Sequence, residues 1–249
     1  MALAITKKKD NKLEYSEILC DPYIKHTTQP ICTGSSVVAV KYNGGVAIAT
    51  DTLVSYGSMA KFKGVQRIEK VSDDVAIAST GEFSDFQELL TEIKALKLEE
   101  YQANDNIKYT PKEIGNYIAR IQYHRRSQIN PYLLHNVVVG FNEQKPYIGV
   151  IDQFGTYIEE NFTCTGFSKY LCLPLLQNNW REDISENETQ KLLEQCFVNL
   201  FYRDARSSDT IQIAFVDANG VRILDPYRVQ GNWNYKGYRD AASENLFRQ

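Results

Sequence analysis

The chain has 249 residues, of which 43% are hydrophobic and 24% charged, so it can bury a sizeable core as one large domain or two small ones. Its formal net charge of −3 provides no overall positive field that would attract nucleic acid or a membrane surface. Five cysteines without C-x-x-C spacing and three scattered histidines disfavour a disulfide framework, a metal site or a bound cofactor.

No apolar run approaches the ~18 residues that a membrane-spanning helix needs. The first residues place an apolar stretch before Lys7-Lys8-Lys9, which is the reverse of the order in a secretory signal. We therefore expect an intracellular protein that binds neither membrane nor nucleic acid.

Strand-like patterns begin after a polar, irregular N-terminal segment of about 34 residues. Val37–Val40 and Val46–Thr50 are apolar runs joined across Asn43-Gly44, a dipeptide that favours a tight hairpin turn. Both runs are nearly continuous, which predicts strands that are covered on both faces. The other predicted strands are Gln66–Val71, Val75–Ser79, Asn136–Phe141, Tyr147–Ile151, Thr156–Ile158, Ile211–Val216 and Val221–Leu224.

Helical periodicity appears in two pairs of segments between these strands. The first pair begins at a capping-box pattern, Ser84 to Gln87, and at Thr110-Pro111, and its second helix must end before Asn130-Pro131. The second pair covers about Phe167–Leu176, with a kink expected at Pro174, and Glu186–Arg203, capped by Ser185.

The order of elements is strands, two helices, strands, two helices and strands. The strands meet through turns that are too short for a parallel crossover, which indicates antiparallel sheets. Strands covered on both faces need a layer on each side, and two stacked sheets between outer helices provide it. We therefore expect one α/β domain of the α+β type, a four-layer αββα sandwich.

Four short motifs carry most of the functional information. The longest, Thr33–Val46, reads TGSSVVAVKYNGGV, and the others are Ser55–Ser58, Ser79–Glu82 and Tyr202–Ser207. Together they resemble the motifs of proteasome β subunits, and the resemblance continues from about Thr27 to Trp233. It implies the N-terminal-nucleophile hydrolase fold, which has the four layers predicted above.

Within that family, the arm Thr27–Ile31 and the pair Asn232-Trp233 are similar to one class, the subunits at the seventh β position of the eukaryotic ring. The resemblance implies a leader over residues 1–26 that is removed by processing near Thr27, and a β-subunit domain over residues 27–225. Residues 226–249 would form a C-terminal tail. Its aromatic residues suit contact with another subunit, and the alternative is a disordered end.

Active members of the family use a threonine that becomes the N-terminus after cleavage behind a glycine. A hydroxyl is a poor nucleophile unless a base takes its proton, and a free α-amine suits that task near neutral pH. The resemblance places the nucleophile at Ser35, directly after Gly34. It places the supporting aspartates, the oxyanion glycine and a supporting serine at Asp51, Asp204, Gly81 and Ser207.

Two positions depart from the family pattern, because Arg67 stands where a lysine is expected and Thr165 where a serine is expected. A guanidinium stays protonated, so Arg67 should crowd the nucleophile or pair permanently with Asp51. If processing occurs near Thr27, Ser35 also lacks a free amine. We interpret these seven positions as a degenerate site without catalytic, cofactor-binding or metal-binding residues. Each supporting residue also has a purely structural interpretation, as the end of a strand or helix or as a turn.

The leading hypothesis is a non-catalytic, structural β subunit of the 20S proteasome core, in cytoplasm and nucleus. The resemblance implies other α and β subunits as partners in a hetero-oligomer, with regulatory caps acting indirectly on a complex that degrades ubiquitin-tagged proteins. One alternative is an active peptidase that uses Ser35 after cleavage at Gly34-Ser35. Another is a free-standing binding module, which would migrate as a monomer.

Overall fold

The computed structural model describes residues 29–104 and 108–233, so the predicted leader and the processing position Thr27 lie outside the described residues. The strands of the described part are β1 (Cys32–Gly34), β2 (Val37–Tyr42), β3 (Gly45–Asp51), β4 (Leu53–Tyr56), β5 (Met59–Lys63), β6 (Ile68–Ser72), β7 (Val75–Glu82), β8 (Leu134–Asn142), β9 (Lys145–Ile151), β10 (Tyr157–Glu159), β11 (Phe162–Thr165), β12 (Thr210–Asp217), β13 (Gly220–Ile223) and β14 (Tyr227–Arg228). Each predicted strand is present, with bounds shifted by a few residues.

The helices of the described part are α1 (Phe83–Ala103), α2 (Pro111–Ser127), α3 (Ser168–Leu171), α4 (Leu173–Asn179) and α5 (Glu186–Arg203). The capping boxes of α2 and α5 are complete. The hydroxyls of Thr110 and Ser185 each accept a hydrogen bond from the backbone N–H three residues later, and the glutamate at that position accepts one from the backbone N–H of the cap residue. The predicted kinked stretch near Pro174 forms two short helices that meet at Cys172. Pro174 lies in the first turn of α4, where its missing N–H leaves no helix hydrogen bond unmade.

The larger sheet has the strand order β10-β9-β8-β7-β1-β4-β5, and all its pairings are antiparallel. β8 follows one edge of β7 from Val75 to Gly81. On the other edge, β6 pairs with the first half of β7 and β1 pairs with its end, at Gly81 and Glu82. Arg67 immediately precedes β6, so it lies at the point where β6 and β1 meet.

The smaller sheet has the order β11-β2-β3-β12-β13, with β14 beside the start of β12. The hairpin of β2 and β3 turns at Asn43-Gly44 as predicted, and Gly44 has the positive φ of 99° that this turn requires. β14 belongs to the predicted tail, whose residues 234–249 lie outside the described residues.

Three hydrophobic clusters define four layers. One cluster fills the space between the two sheets and contains alternate residues of β2 and β3, such as Val37 and Ile48. A second lies between the larger sheet and α1 and α2, and a third lies between the smaller sheet and α3, α4 and α5. Helices therefore cover the outer face of each sheet, which confirms the αββα sandwich.

The predicted capping box at Ser84 is wrong. Helix α1 begins at Phe83, with Glu82 instead of Ser84 at the N-cap position and no side-chain cap. The hydroxyl of Ser84 donates to the Glu82 carboxylate at 2.9 Å, and the carboxylate of Asp85 accepts from the backbone N–H of Leu133 at 2.9 Å. Ser84 therefore contacts the residue at the N-cap position, whereas Asp85 makes a tertiary contact with the backbone before β8.

The N-terminal segment predicted to be irregular contains β1, and strands β4, β5, β11 and β14 were not predicted either. β1 is only three residues long, and all five residues of β5 are exposed, so neither shows an apolar pattern. β1 and β5 are strands because their backbones pair with neighbouring strands, not because of their own side-chain pattern. In the described ranges, no helix combines the length and the apolar character needed to cross a membrane.

Candidate active site

Ser35 lies between β1 and β2, where the chain passes from the larger sheet to the smaller one. Its hydroxyl donates to Oδ2 of Asp204 at 2.6 Å. Asp204 is the C-cap residue of α5, and its other carboxylate oxygen accepts from the N–H of Arg206 at 2.9 Å. The structure thus brings together two of the predicted site residues from opposite ends of the chain.

Asp51 and Arg67 form an ion pair beneath Ser35, and each side chain is only 1% exposed. Nη1 of Arg67 contacts Oδ1 of Asp51, while Nη2 donates to the carbonyl oxygens of Ser35, at 2.9 Å, and Ser79, at 3.1 Å. Oδ2 of Asp51 accepts from the N–H of Ser208 at 3.0 Å. The pairing expected for Arg67 is therefore present, and its guanidinium joins β3, β7 and the segment that carries Ser35.

Burial dominates the electrostatics of this pair. It raises the pKa of Asp51 to about 6, and the adjacent guanidinium and the N–H of Ser208 limit that rise. Burial also lowers the pKa of Arg67, while the charge of Asp51 opposes the change. An arginine nevertheless keeps its proton in proteins, so Arg67 supplies fixed positive charge and cannot exchange a proton with Ser35.

The other predicted positions surround this centre without contacting the Ser35 hydroxyl through a hydrogen bond. Thr165 on β11 pairs its hydroxyl with that of Thr80. The hydroxyl of Ser207 is buried and has no partner among the described residues. Gly81 lies beside a cleft of about 540 Å³ that opens in front of Ser35. Within the described ranges, no group of three His, Cys, Asp or Glu side chains is arranged to hold a metal ion.

Comparison with known proteins identifies the family. A family model for proteasome subunits matches residues 31–216. The chain belongs to the proteasome subunit family. A relative from Arabidopsis thaliana named "Proteasome subunit beta type-4" is 35% identical over 219 residues, which cover 88% of this chain and 89% of the relative.

Two further relatives agree with the class indicated by the sequence. "Proteasome subunit beta type-4" of Xenopus laevis is 36% identical over 212 residues, covering 84% of this chain and 88% of the relative. "Proteasome subunit beta type-7" of Saccharomyces cerevisiae is 34% identical over 231 residues, covering 86% of each. These names confirm the resemblance to β subunits of the type-4 and type-7 class.

The segment ahead of Ser35 is a strand of the larger sheet that is paired on both sides. Cys32, Thr33 and Gly34 pair with β4 on one side, and the last two also pair with β7 on the other. The carboxylate of Glu82, which is 7% exposed, accepts from the N–H groups of Ile31 and Cys32. β1 therefore fills the strand position between β4 and β7 that lies next to the cleft.

Glu82 is the site residue that the sequence analysis missed. It belongs to the Ser79–Glu82 motif, but the family resemblance assigns it no role. The available signal was a charged residue at the end of a nearly continuous apolar strand, directly after Gly81. A buried carboxylate at that place requires hydrogen-bond donors, and the backbone of β1 supplies them.

Gly34 is required by packing against Arg67, independently of any processing. A Cβ atom at this position would lie 2.6 Å from Nε and 2.9 Å from Cζ of the Arg67 guanidinium. Gly34→Ala is therefore expected to lower the free energy of unfolding by about 1–3 kcal/mol, because the guanidinium is held by several acceptors and cannot move freely. Chemical denaturation of the full-length chain measures the change.

Combining Gly34→Ala with Arg67→Lys provides the control for that prediction. Lysine lacks the planar group that lies against Gly34. Gly34→Ala should therefore lower the free energy of unfolding by less in the Arg67→Lys background than in the parent. Equal costs in both backgrounds would contradict the proposed contact.

Proposed function

We propose that this chain is a non-catalytic, structural β subunit of the 20S proteasome core. The observation that carries the proposal is the Arg67–Asp51 ion pair at the position where active members place a lysine. A guanidinium bound to Asp51 and to the carbonyl oxygens of Ser35 and Ser79 holds the chain together there. Among the described residues, the side-chain partner of the Ser35 hydroxyl is the carboxylate of Asp204.

The surroundings of Ser35 also favour a structural role. The hydroxyl already donates to Asp204, but a carboxylate is a weak base for an alkyl hydroxyl. A free α-amine would require cleavage behind Gly34, and that residue pairs with both β4 and β7. β1 also occupies the place where an extended substrate would add to the sheet. Each feature argues against Ser35 as a nucleophile.

The proposal includes the partners and the location that the family resemblance implies. The chain would occupy a β ring and contact neighbouring β subunits, an α subunit and the opposite ring, in particles of the cytoplasm and nucleus. Processing near Thr27 would remove residues 1–26, and residues beyond 226 would reach another subunit. Trp233 supports this use of the tail, because it is 66% exposed although its ring packs against Tyr202 at 4.8 Å.

Peptide hydrolysis by assembled core particles tests the lack of catalysis. Particles that carry Ser35→Ala should retain every peptidase activity of the parent, because the hydroxyl takes no part in cleavage. Ser58→Ala, at an exposed turn, is the matched control for the substitution and for assembly. Loss of one distinct cleavage activity with Ser35→Ala alone would establish the alternative, an active peptidase.

The mass of the chain in its native complex supplies an independent test. A mature N-terminus near Thr27 supports the proposal, whereas an N-terminus at Ser35 would contradict it. Migration as a free monomer of about 28.5 kDa, instead of within a large particle, would contradict the structural role.

A further inference from the structure

Unpaired positive charge surrounds the cleft in front of Ser35. Arg203 and Arg206 line this cleft, both are exposed, and neither side chain has an ion-pair partner among residues 29–104 and 108–233. Asp204 lies between them, but its two oxygens accept from the Ser35 hydroxyl and from the Arg206 N–H. Lys169, on the neighbouring helix α3, is also exposed and without an ion pair in the described ranges. The cleft therefore presents more positive than negative charge to a ligand.

Exposed aromatic rings lie beside these charges. Phe167 lines the cleft and is 45% exposed, while Tyr170, one turn further on, is 76% exposed. The two rings meet edge to face, with centroids 5.9 Å apart. Aromatic side chains and arginine are enriched at binding surfaces, because each residue type provides a large contact area with a well-defined geometry.

The floor of the cleft determines how a ligand can be recognised. Thr33 and Gly34 of β1 line it together with Ser35, and their strand is already paired on both sides. A peptide therefore cannot bind by adding a strand at this place. Recognition has to come from side chains, which can reach the two arginines and the ring of Phe167.

We propose that this cleft holds an acidic peptide segment without cleaving it. Asp or Glu side chains of the peptide would bind Arg203 and Arg206, and an adjacent apolar side chain would pack on Phe167 and Tyr170. The inference rests on the proposed absence of catalysis at Ser35, because a bound peptide is retained intact. It adds a ligand class, and a binding role, to a subunit that otherwise contributes structure alone.

Photo-crosslinking in assembled core particles tests this inference. The probes are two short benzophenone-labelled peptides, acetylated and amidated, one with several Glu residues and one with Gln at the same places. The Glu peptide should label this chain around Phe167 and Arg203, and mass spectrometry of the digested chain locates the crosslinks. Labelling should decrease as the salt concentration rises, because exposed charge pairs are screened.

Substitutions assign the binding to the two arginines. Arg203→Gln combined with Arg206→Gln should reduce labelling of this chain by the Glu peptide about tenfold, equivalent to about 1.4 kcal/mol of binding free energy. Arg206→Gln alone, which leaves the last turn of α5 intact, should reduce it about threefold. Arg120→Gln is the matched control, because Arg120 is an exposed arginine on α2, in the opposite helix layer.

Three results would overturn the inference. The first is that the Gln peptide labels this chain as strongly as the Glu peptide does. The second is that labelling by the Glu peptide is unchanged after both arginine substitutions. The third is that a Gln peptide with a free C-terminal carboxylate labels the chain as strongly as the Glu peptide, because recognition would then need a chain terminus and not acidic side chains. Failure of the proposed function has a different signature. In that case Ser35→Ala would abolish a peptidase activity, while labelling by the Glu peptide would still depend on Arg203 and Arg206.

Discussion

Arg67→Met is expected to lower the free energy of unfolding by about 3–5 kcal/mol, because it leaves a buried carboxylate without its counter-charge. Asp51 is 1% exposed, and the N–H of Ser208 would be the one remaining partner of its side chain in the described part of the chain. The carbonyl oxygens of Ser35 and Ser79 would lose a donor at the same time. Denaturant unfolding of the full-length chain measures the loss.

A double-mutant cycle separates the ion pair from the other contacts of Arg67. Asp51→Asn removes the negative charge but still offers an oxygen to the N–H of Ser208. In that background, the loss of unfolding free energy caused by Arg67→Met should be smaller by about 2 kcal/mol. Arg181→Met provides the control at an exposed pair with Glu188, and it should leave stability nearly unchanged. A similar small effect for Arg67→Met would show that the buried pair contributes no stability.

Gly81→Ala is expected to destabilise the chain more than Gly34→Ala does. Gly81 has a φ of 115°, and a Cβ atom there would lie 2.0 Å from the carbonyl oxygen of Leu133. That oxygen belongs to the backbone and accepts from the N–H of Glu82 at 3.0 Å, so it cannot move without disturbing the chain beside β7. The strain and the overlap together should cost more than about 3 kcal/mol, which is a large share of the stability of a typical domain.

Gly44→Ala measures the backbone strain without the atomic overlap, so its difference from Gly81→Ala gives the contribution of the overlap. Gly44 has a comparable φ of 99°, but no atom lies within 4 Å of the Cβ position. The alanine at this turn should cost about 1–3 kcal/mol through strain alone. We expect Gly81→Ala to reduce incorporation of the chain into core particles, and Gly44→Ala to reduce it less. Equal losses of unfolding free energy would show that the contact with Leu133 is unimportant.

Both predictions concern positions that the family motifs associate with catalysis and that hold strands together in this fold. The Arg67–Asp51 pair joins strands of both sheets, and Gly81 pairs with β1 and β8 within the larger sheet. Arg67 contacts groups on β3 and β7 and the segment between β1 and β2. Residues that a sequence motif marks as catalytic are therefore expected to show their effects first in stability and assembly.

Local patterns in the sequence were sufficient for features whose partners are close in the chain. The turn at Asn43-Gly44 and the helix starts capped by Thr110 and Ser185 depend on residues that are close in the chain, so they appear where predicted. Nearly continuous apolar runs indicated strands covered on both faces, and the clusters on either side of the sheets confirm this. The same reasoning failed at Ser84, where a contact with Glu82 replaced the expected cap.

Tertiary structure alone decided how the site is assembled. The sequence indicated the class of fold and the family motifs, and the resemblance implied an arginine at a lysine position. It did not show that β1 is a strand or that Glu82 holds it, because both depend on pairing between segments about fifty residues apart. It also offered two outcomes for Arg67, crowding of Ser35 or pairing with Asp51. The folded chain selects the ion pair because a buried guanidinium and a buried carboxylate each need a counter-charge, and no other is within reach in the described core.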